Sequence, residues 1–297
     1  MSATQREKAA YRDPGLGPGR DLVLRQGTIR VHEAGEGPAV VLVHGALVNA
    51  NLWRRVVPEL ARSAHVVTLD LPLGAHLVPM PEGAALDPPA LADLIADALE
   101  ALGLEDVTIV GNDTGGGLCQ IVTTRRPERI GALVLTSCDA FDHFPPPAVK
   151  PFLVPLRSPA VAKALFALST LGLLQQAMLR PLARRPIERA VRDSYIYPAL
   201  LDAAVRRDVA AVARGLDPRY TREAAERLAA FDKPALIAWS AKDLLFSKEH
   251  ARRLAELLPQ GRLEWIEGAR SFSPEDRPEV LAGLIAEVAV RAPVAAG

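Results

Sequence analysis

Val107-Thr108-Ile109-Val110-Gly111-Asn112-Asp113-Thr114-Gly115-Gly116-Gly117 is the stretch on which the fold is decided. Val107 to Val110 has the composition of a strand buried on both faces of a parallel sheet. Gly111 and Gly115 flank Asp113 with minimal side chains, which lets the chain turn sharply from strand into helix and hold the central residue exposed at the sheet's carboxyl edge. Gly116-Gly117 then allow the helix to pack closely. A carboxylate at such a bend is either a presented reactive group or a turn residue satisfying nearby N–H groups.

Outward from this bend, buried-strand runs recur with helical patterns between them. Upstream lie Ala39-Val43 and Val66-Leu69, then a helical pattern from Leu91 to Leu102; downstream lie a helix ending at Arg125 and the strand Ala132-Thr136. Alternation with short turns predicts an α/β fold with a doubly wound, mostly parallel sheet. Two alternating segments around Leu22-Leu24 and Ile29-Val31 read as edge strands. From 144 to 228 no strand run occurs, and Pro- and Gly-punctuated helical patterns (Ala160-Leu171, Leu173-Leu182, Ile187-Ile196, Leu200-Gly215) predict an inserted helical cap. Strands at Ala235-Trp239 and Arg262-Ile266 and a closing helix from Glu279 to Val290 complete the frame. The expected division is a flexible leader over 1–20, a core over 21–143 and 229–297, and a cap over 144–228.

Lys+Arg and Asp+Glu number 35 each, so the formal net charge is zero and no global field recruits nucleic acid or an anionic membrane. A small-molecule substrate is the expected partner; oligomeric state is not legible. Cys119 and Cys138 are too few for a disulfide framework or a thiolate zinc site and read as buried small hydrophobes. Met1 to Arg20 has no apolar run of signal-peptide type, and no long apolar stretch predicts a membrane span, so a cytoplasmic enzyme is expected. No cofactor is expected. The glycines after Asp113 are not followed by Lys-Ser/Thr, as a phosphate-binding loop requires. The spacing Asp139-x-x-Asp142-His143 is too compact and isolated to predict a metal site.

With these motifs in hand, the chain resembles the α/β-hydrolase superfamily from about Leu22 to Val290. The resemblance rests on Val43-His44-Gly45 after one strand, Asp70-Leu71-Pro72 after the next, the bend at Asp113, the helical insertion, and Asp243 after Ala235-Trp239. An aspartate at the bend is similar to the haloalkane dehalogenase, fluoroacetate dehalogenase and epoxide hydrolase branch. The resemblance implies that Asp113 attacks carbon and forms an ester, that Ala46 and Thr114 N–H groups form an oxyanion hole, and that Asp243 is the auxiliary acid. Asp has a reference pKa near 3.9 and is expected to be anionic at neutral pH without a base.

The sequence also departs from that branch. Gly268-Ala269-Arg270-Ser271-Phe272 puts Ser271 in the slot of the family's catalytic histidine, which activates water in the second step. Thr114 stands where dehalogenases carry a halide-binding Trp, Ala46 where many carry Asn, and Leu47 where epoxide hydrolases carry Pro. His76 and His143, in loops expected near the sheet's carboxyl edge, are the candidate substitute bases. His44, His32 and His65 read as structural or surface residues, and His250 as exposed. Asn112, Tyr195 and Tyr197 are candidate substrate contacts, with Tyr220 a further tyrosine in the cap. Epoxide or carbon–halogen hydrolysis is the expected reaction. The alternatives are a lyase or isomerase using Asp113 as general base, and an inactive ligand-binding member of the fold.

Overall fold

Each buried apolar run becomes a strand because a parallel sheet covered on both faces can place such residues nowhere else. The computed structural model describes residues 2–291; Met1 of the expected leader and residues 292–297 of the expected core lie outside them. Among the described residues one sheet contains β1 (Gly19–Leu24), β2 (Gly27–Ala34), β3 (Ala39–Val43), β4 (His65–Asp70), β5 (Val107–Asp113), β6 (Ile130–Cys138), β7 (Ala235–Ser240) and β8 (Gly261–Ile266). Its order is β1-β2-β4-β3-β5-β6-β7-β8. β1 and β2 pair antiparallel at one edge, and β4 onward are parallel. From β3 the chain winds to β4 on one side, then returns to β5 on the other. The crevice between β3 and β5 is therefore the topological switch point, where ligands bind in open α/β sheets.

The N-terminal segment is not the loose leader expected. Helix α1 (Ala3–Ala10) is capped by Ser2, whose side chain accepts from Gln5 N–H while the Gln5 side chain accepts from Ser2 N–H. Arg12 then reaches Asp70 at the end of β4, with Nε and Nη2 at 2.7 and 2.6 Å from Oδ2, and Leu16 is fully buried. Isolated polar composition hides this, because the segment is ordered by a distant carboxylate. Burial, the largest single influence, would raise the Asp70 pKa; the Arg12 guanidinium, together with His44 and the Ala50 N–H, outweighs it and holds the carboxyl below its usual value.

Helices α2 (Val57–Leu60), α3 (Pro88–Ala101) and α4 (Thr114–Arg125) follow β3, β4 and β5 in turn. Between β6 and β7 the described chain holds only helices: α5 (Lys150–Leu153), α6 (Pro159–Leu168), α7 (Gly172–Leu179), α8 (Arg189–Leu201), α9 (Ala203–Gly215) and α10 (Pro218–Leu228). Helix α10 falls after the last helical pattern read from the sequence; Pro218 at its first position and the Asp217 side chain, which accepts from Arg219 N–H, start it. Helix α11 (Lys248–Leu257) precedes β8, and α12 (Ser273–Asp276) and α13 (Pro278–Arg291) follow it. No single helix among the described residues is long and apolar enough to cross a membrane.

Candidate active site

Parallel pairing of β3 with β5, with Val43 opposite Gly111, delivers the turn His44-Gly45-Ala46 beside Asp113. The approach is close enough to dictate glycine at three points. A Cβ on Gly45 would lie 2.5 Å from the Asp113 Cβ, one on Gly115 2.3 Å from the Val43 carbonyl oxygen, and one on Gly116 2.3 Å from the Cys138 Cβ. His44 fixes the turn: its Nδ1–H donates to the Gly45 carbonyl at 2.8 Å and its Nε2 accepts from Leu71 N–H at 3.0 Å. Burial pushes its pKa down to about 4, so it stays neutral and structural, as its place in the sequence suggested.

Asp113 has φ +57°, a left-handed conformation rare for a residue with a side chain, and it is the N-cap of α4. Thr114 N–H donates to its Oδ1 at 2.6 Å. The carboxyl also borders a cavity of about 470 Å³. It is thus both a local cap and a presented group, and neither reading of the sequence excludes the other. Burial pushes its pKa up to about 7; Asp243 adds to this, while the Thr114 N–H and hydroxyl pull it down. The expectation of a fully anionic aspartate at neutral pH is corrected: desolvation leaves the group divided between its two protonation states.

A second carboxyl, not singled out in the sequence, stands behind the first. Asp139 immediately follows β6, the neighbour of β5, and is fully buried. Thr114 Oγ1 lies 3.3 Å from Asp113 Oδ1 and 3.2 Å from Asp139 Oδ2. One hydroxyl hydrogen serves only one carboxyl. Burial, and then the Asp113 charge, push the Asp139 pKa well up. A neutral Asp139 donating to Thr114, which donates to Asp113, gives each of these two contacts its own hydrogen, while the buried Asp139 Oδ1 has no partner.

Ser271, in the loop after β8, donates its hydroxyl to Asp243 Oδ1 at 3.0 Å. That oxygen also accepts from Leu245 and Phe246 N–H, each at 2.8 Å, while the buried Oδ2 has no partner. Asn112 does not contact the cavity, contrary to expectation. Alternate residues of a strand point to opposite faces, so next to Asp113 it turns inward, where its Nδ2 donates to the Thr136 and Ser271 carbonyls at 2.8 Å each. It ties β5, β6 and the Ser271 loop together.

The cavity wall is largely apolar, with Leu47, Val48, Phe152, Phe166, Ile196, Phe246 and Phe272, and it includes Ala46, Asp113, Thr114 and Tyr195. Gln175 and Arg192 add polar groups that the sequence did not mark. Tyr195 is buried, and its hydroxyl has no partner. Burial raises the hydroxyl's pKa, with Glu275 acting the same way and Arg54 opposing. Tyr197, two positions along α8 and so on another face, instead accepts from Lys8 Nζ at 3.4 Å. It is not part of the wall.

Neither expected substitute base reaches the cavity. His76 is held by Asp208 of α9, 3.2 Å from Nε2, and by Gly74 N–H, 3.3 Å from Nδ1, which uses both ring nitrogens. His143 packs against His250, with ring centroids 4.6 Å apart. His250 itself is buried rather than exposed. Among the described residues no histidine lines the cavity. Cys119 and Cys138 are both buried, and burial raises their thiol pKa values.

A sheet with this switch point, a strained carboxylate bend and a helical insertion define an α/β-hydrolase fold, and the family model of that description matches residues 38–278. The chain belongs to this family and is a hydrolase of the superfamily. It is 29% identical over 286 residues to "Haloalkane dehalogenase 2" of Mycobacterium bovis, covering 93% of this chain and 96% of that one. It is 32% identical over 120 residues to the 2-hydroxymuconate semialdehyde hydrolase of Pseudomonas sp. CF600, spanning only 42% of that protein. Among solved structures, an α/β hydrolase fold protein from Burkholderia ambifaria superposes with TM-score 0.76 at 24% identity, covering 90% of this chain and 96% of its own. A haloalkane dehalogenase from Bradyrhizobium elkani gives 0.75 at 19%, covering 92% and 99%. At these identities the structural likeness is one of fold.

Proposed function

We propose that this hydrolase acts on a small apolar electrophile with a reactive saturated carbon, an epoxide or an alkyl halide, through covalent attack by Asp113. The observation that carries the reading is the Asp113 carboxyl on the wall of a largely apolar cavity with Thr114 N–H on Oδ1, which leaves Oδ2 for the substrate. Oδ2 forms a bond to carbon as the carbon–oxygen or carbon–halogen bond breaks, and the leaving atom takes the electron pair. Water attack on the resulting ester then returns Asp113, with Ala46 and Thr114 N–H groups facing the developing oxyanion. The whole-length likeness to a haloalkane dehalogenase supports attack on saturated carbon. Of the two, epoxide opening is favoured. No Trp or Asn among the described residues lines the cavity to hold a halide, while Tyr195, whose buried hydroxyl has no partner, is one of its lining residues.

On this reading Ser271 occupies the histidine slot, His76 and His143 are engaged elsewhere, and the second step is the slow one. Incubation with a panel of epoxides and alkyl halides, read by intact mass, tests it. The expected result is a persistent adduct, of the full substrate mass for an epoxide and of the substrate less HX for an alkyl halide, that is absent from Asp113→Asn. No adduct and no turnover on any member overturns the reading. A second reading is favoured by the Asp113 pKa of about 7: a group so poised is a competent general base for proton abstraction, and needs no histidine. Solvent-deuterium exchange into a carbon acid without an adduct would select it.

A further inference from the structure

We propose that Asp142, His143 and His250 form a binding site for one divalent transition-metal ion, which clips the start of the helical insertion to α11. Their ligating atoms all lie within 4.8 Å of one another, and His250 Nε2 is 3.8 Å from Asp142 Oδ1. The two imidazoles lean together at 58°, with no hydrogen bond between them. His143 Nδ1 is buried and has no partner. A buried polar atom left unmatched carries a desolvation cost that an ion's coordination bond removes.

The three residues come together only in the fold. Asp142 and His143 sit in a tight turn after β6, closed by His143 N–H donating to the Ala140 carbonyl at 3.1 Å. His250 projects from the first turn of α11. Donors around a zinc-sized ion at about 2.1 Å stand roughly 3.0 to 3.4 Å apart, so the cluster must tighten by about an ångström. The Asp142 side chain, 65% exposed, has room to supply that movement and leaves a side open to solvent for further ligands. Two imidazoles with one carboxylate select zinc, cobalt, nickel or copper over calcium and magnesium. Arg253, stacked on Phe141 at 3.9 Å, opposes the ion, while Asp142 and Glu249 offset that charge.

The position gives such an ion a consequence. Pro145, Pro146 and Val149, just past His143, line one part of the active-site cavity, and Leu245 and Phe246, just before α11, line another. An ion bound here joins two segments of the cavity wall.

The test uses the full chain, stripped with chelator and titrated with zinc or cobalt by calorimetry, with the cobalt absorption spectrum recorded. The expected result is one ion per chain, a rise in Tm on addition, and d–d bands of a nitrogen- and oxygen-ligated cobalt. His143→Gln and His250→Gln should each weaken binding by roughly 100-fold or more, and Asp142→Asn by about tenfold. His65→Gln, remote from the cluster and paired with Glu33, should bind as the parent does. Metal-free melting curves matching the parent establish that the glutamine variants fold; should His250→Gln not fold, His143→Gln and Asp142→Asn carry the test. Absence of saturable binding, or binding that survives the His143 and Asp142 substitutions, overturns the proposal.

Discussion

Ser271 donates its hydroxyl to Asp243 at 3.0 Å, so the acid expected to orient a base holds an alcohol instead. A serine hydroxyl is too weak a base to activate water at neutral pH. On the proposed reading, the pair stands in the place of a base and its orienting acid while lacking the imidazole that would deprotonate water.

Ser271→His should therefore restore the second half of the proposed reaction. Asp243 is already positioned to accept from the new ring, and a general base contributes roughly 10²- to 10⁴-fold. Ser271 is fully buried, so the larger ring should cost about 1–3 kcal/mol of stability. The measurement is the decay of the covalent adduct by intact mass. An adduct that decays no faster in a folded variant counts against the role assigned to this slot.

The adduct-forming rate should rise with pH and level off above the Asp113 pKa of about 7, because only the carboxylate attacks. Stability runs the other way. A carboxyl raised above its unfolded value favours folding below the unfolded pKa, near 3.8, and that contribution is lost as pH rises through about 7. Relative to the parent, Asp113→Asn should gain Tm between these limits and keep the gain above them. Asp139→Asn should leave the rate midpoint close to that of the parent, since burial favours the neutral form of Asp139; a clear downward shift would mean that it carries charge.

Gly45→Ala tests how the turn after β3 sets Asp113, the proposed nucleophile. The added methyl would stand 2.5 Å from the Asp113 Cβ, so one of them must move. Displacement of a reacting group by about 1 Å costs about 10²-fold. Single-turnover adduct formation should fall by that order with the far-UV spectrum unchanged.

Arg12→Ala should be strongly destabilising despite its place in a polar N-terminal stretch. It strands Asp70, which is almost fully buried, without its countercharge. Breaking a buried pair from one side costs about 3–5 kcal/mol. Denaturant titration would show this, and a change below about 1 kcal/mol would mean that the contact is not maintained in solution.

Much of the frame was legible because its signals are local. The buried runs at Val40-Val43, Val66-Leu69 and Val107-Val110 admit few placements other than a covered sheet, and the glycines around Asp113 announce the bend mechanically. What failed was long-range. In sequence Asn112 reads as a substrate contact because it adjoins Asp113, but strand alternation turns it to the opposite face. Tyr195 and Tyr197 look equivalent in sequence, yet their helical offset gives one to the cavity and the other to Lys8. His76 was sensible by its loop and is removed by Asp208, 132 positions away.

The chain by itself determined the parallel frame, the sharp bend bearing Asp113 and the absence of histidine after the last strand, because these rest on side-chain size, backbone freedom and residue identity. Only the tertiary structure decided the protonation of that acid, the buried Asp139 behind it and the meeting of Asp142 and His143 with His250. Those depend on desolvation and on distances between groups far apart in sequence, which packing alone sets.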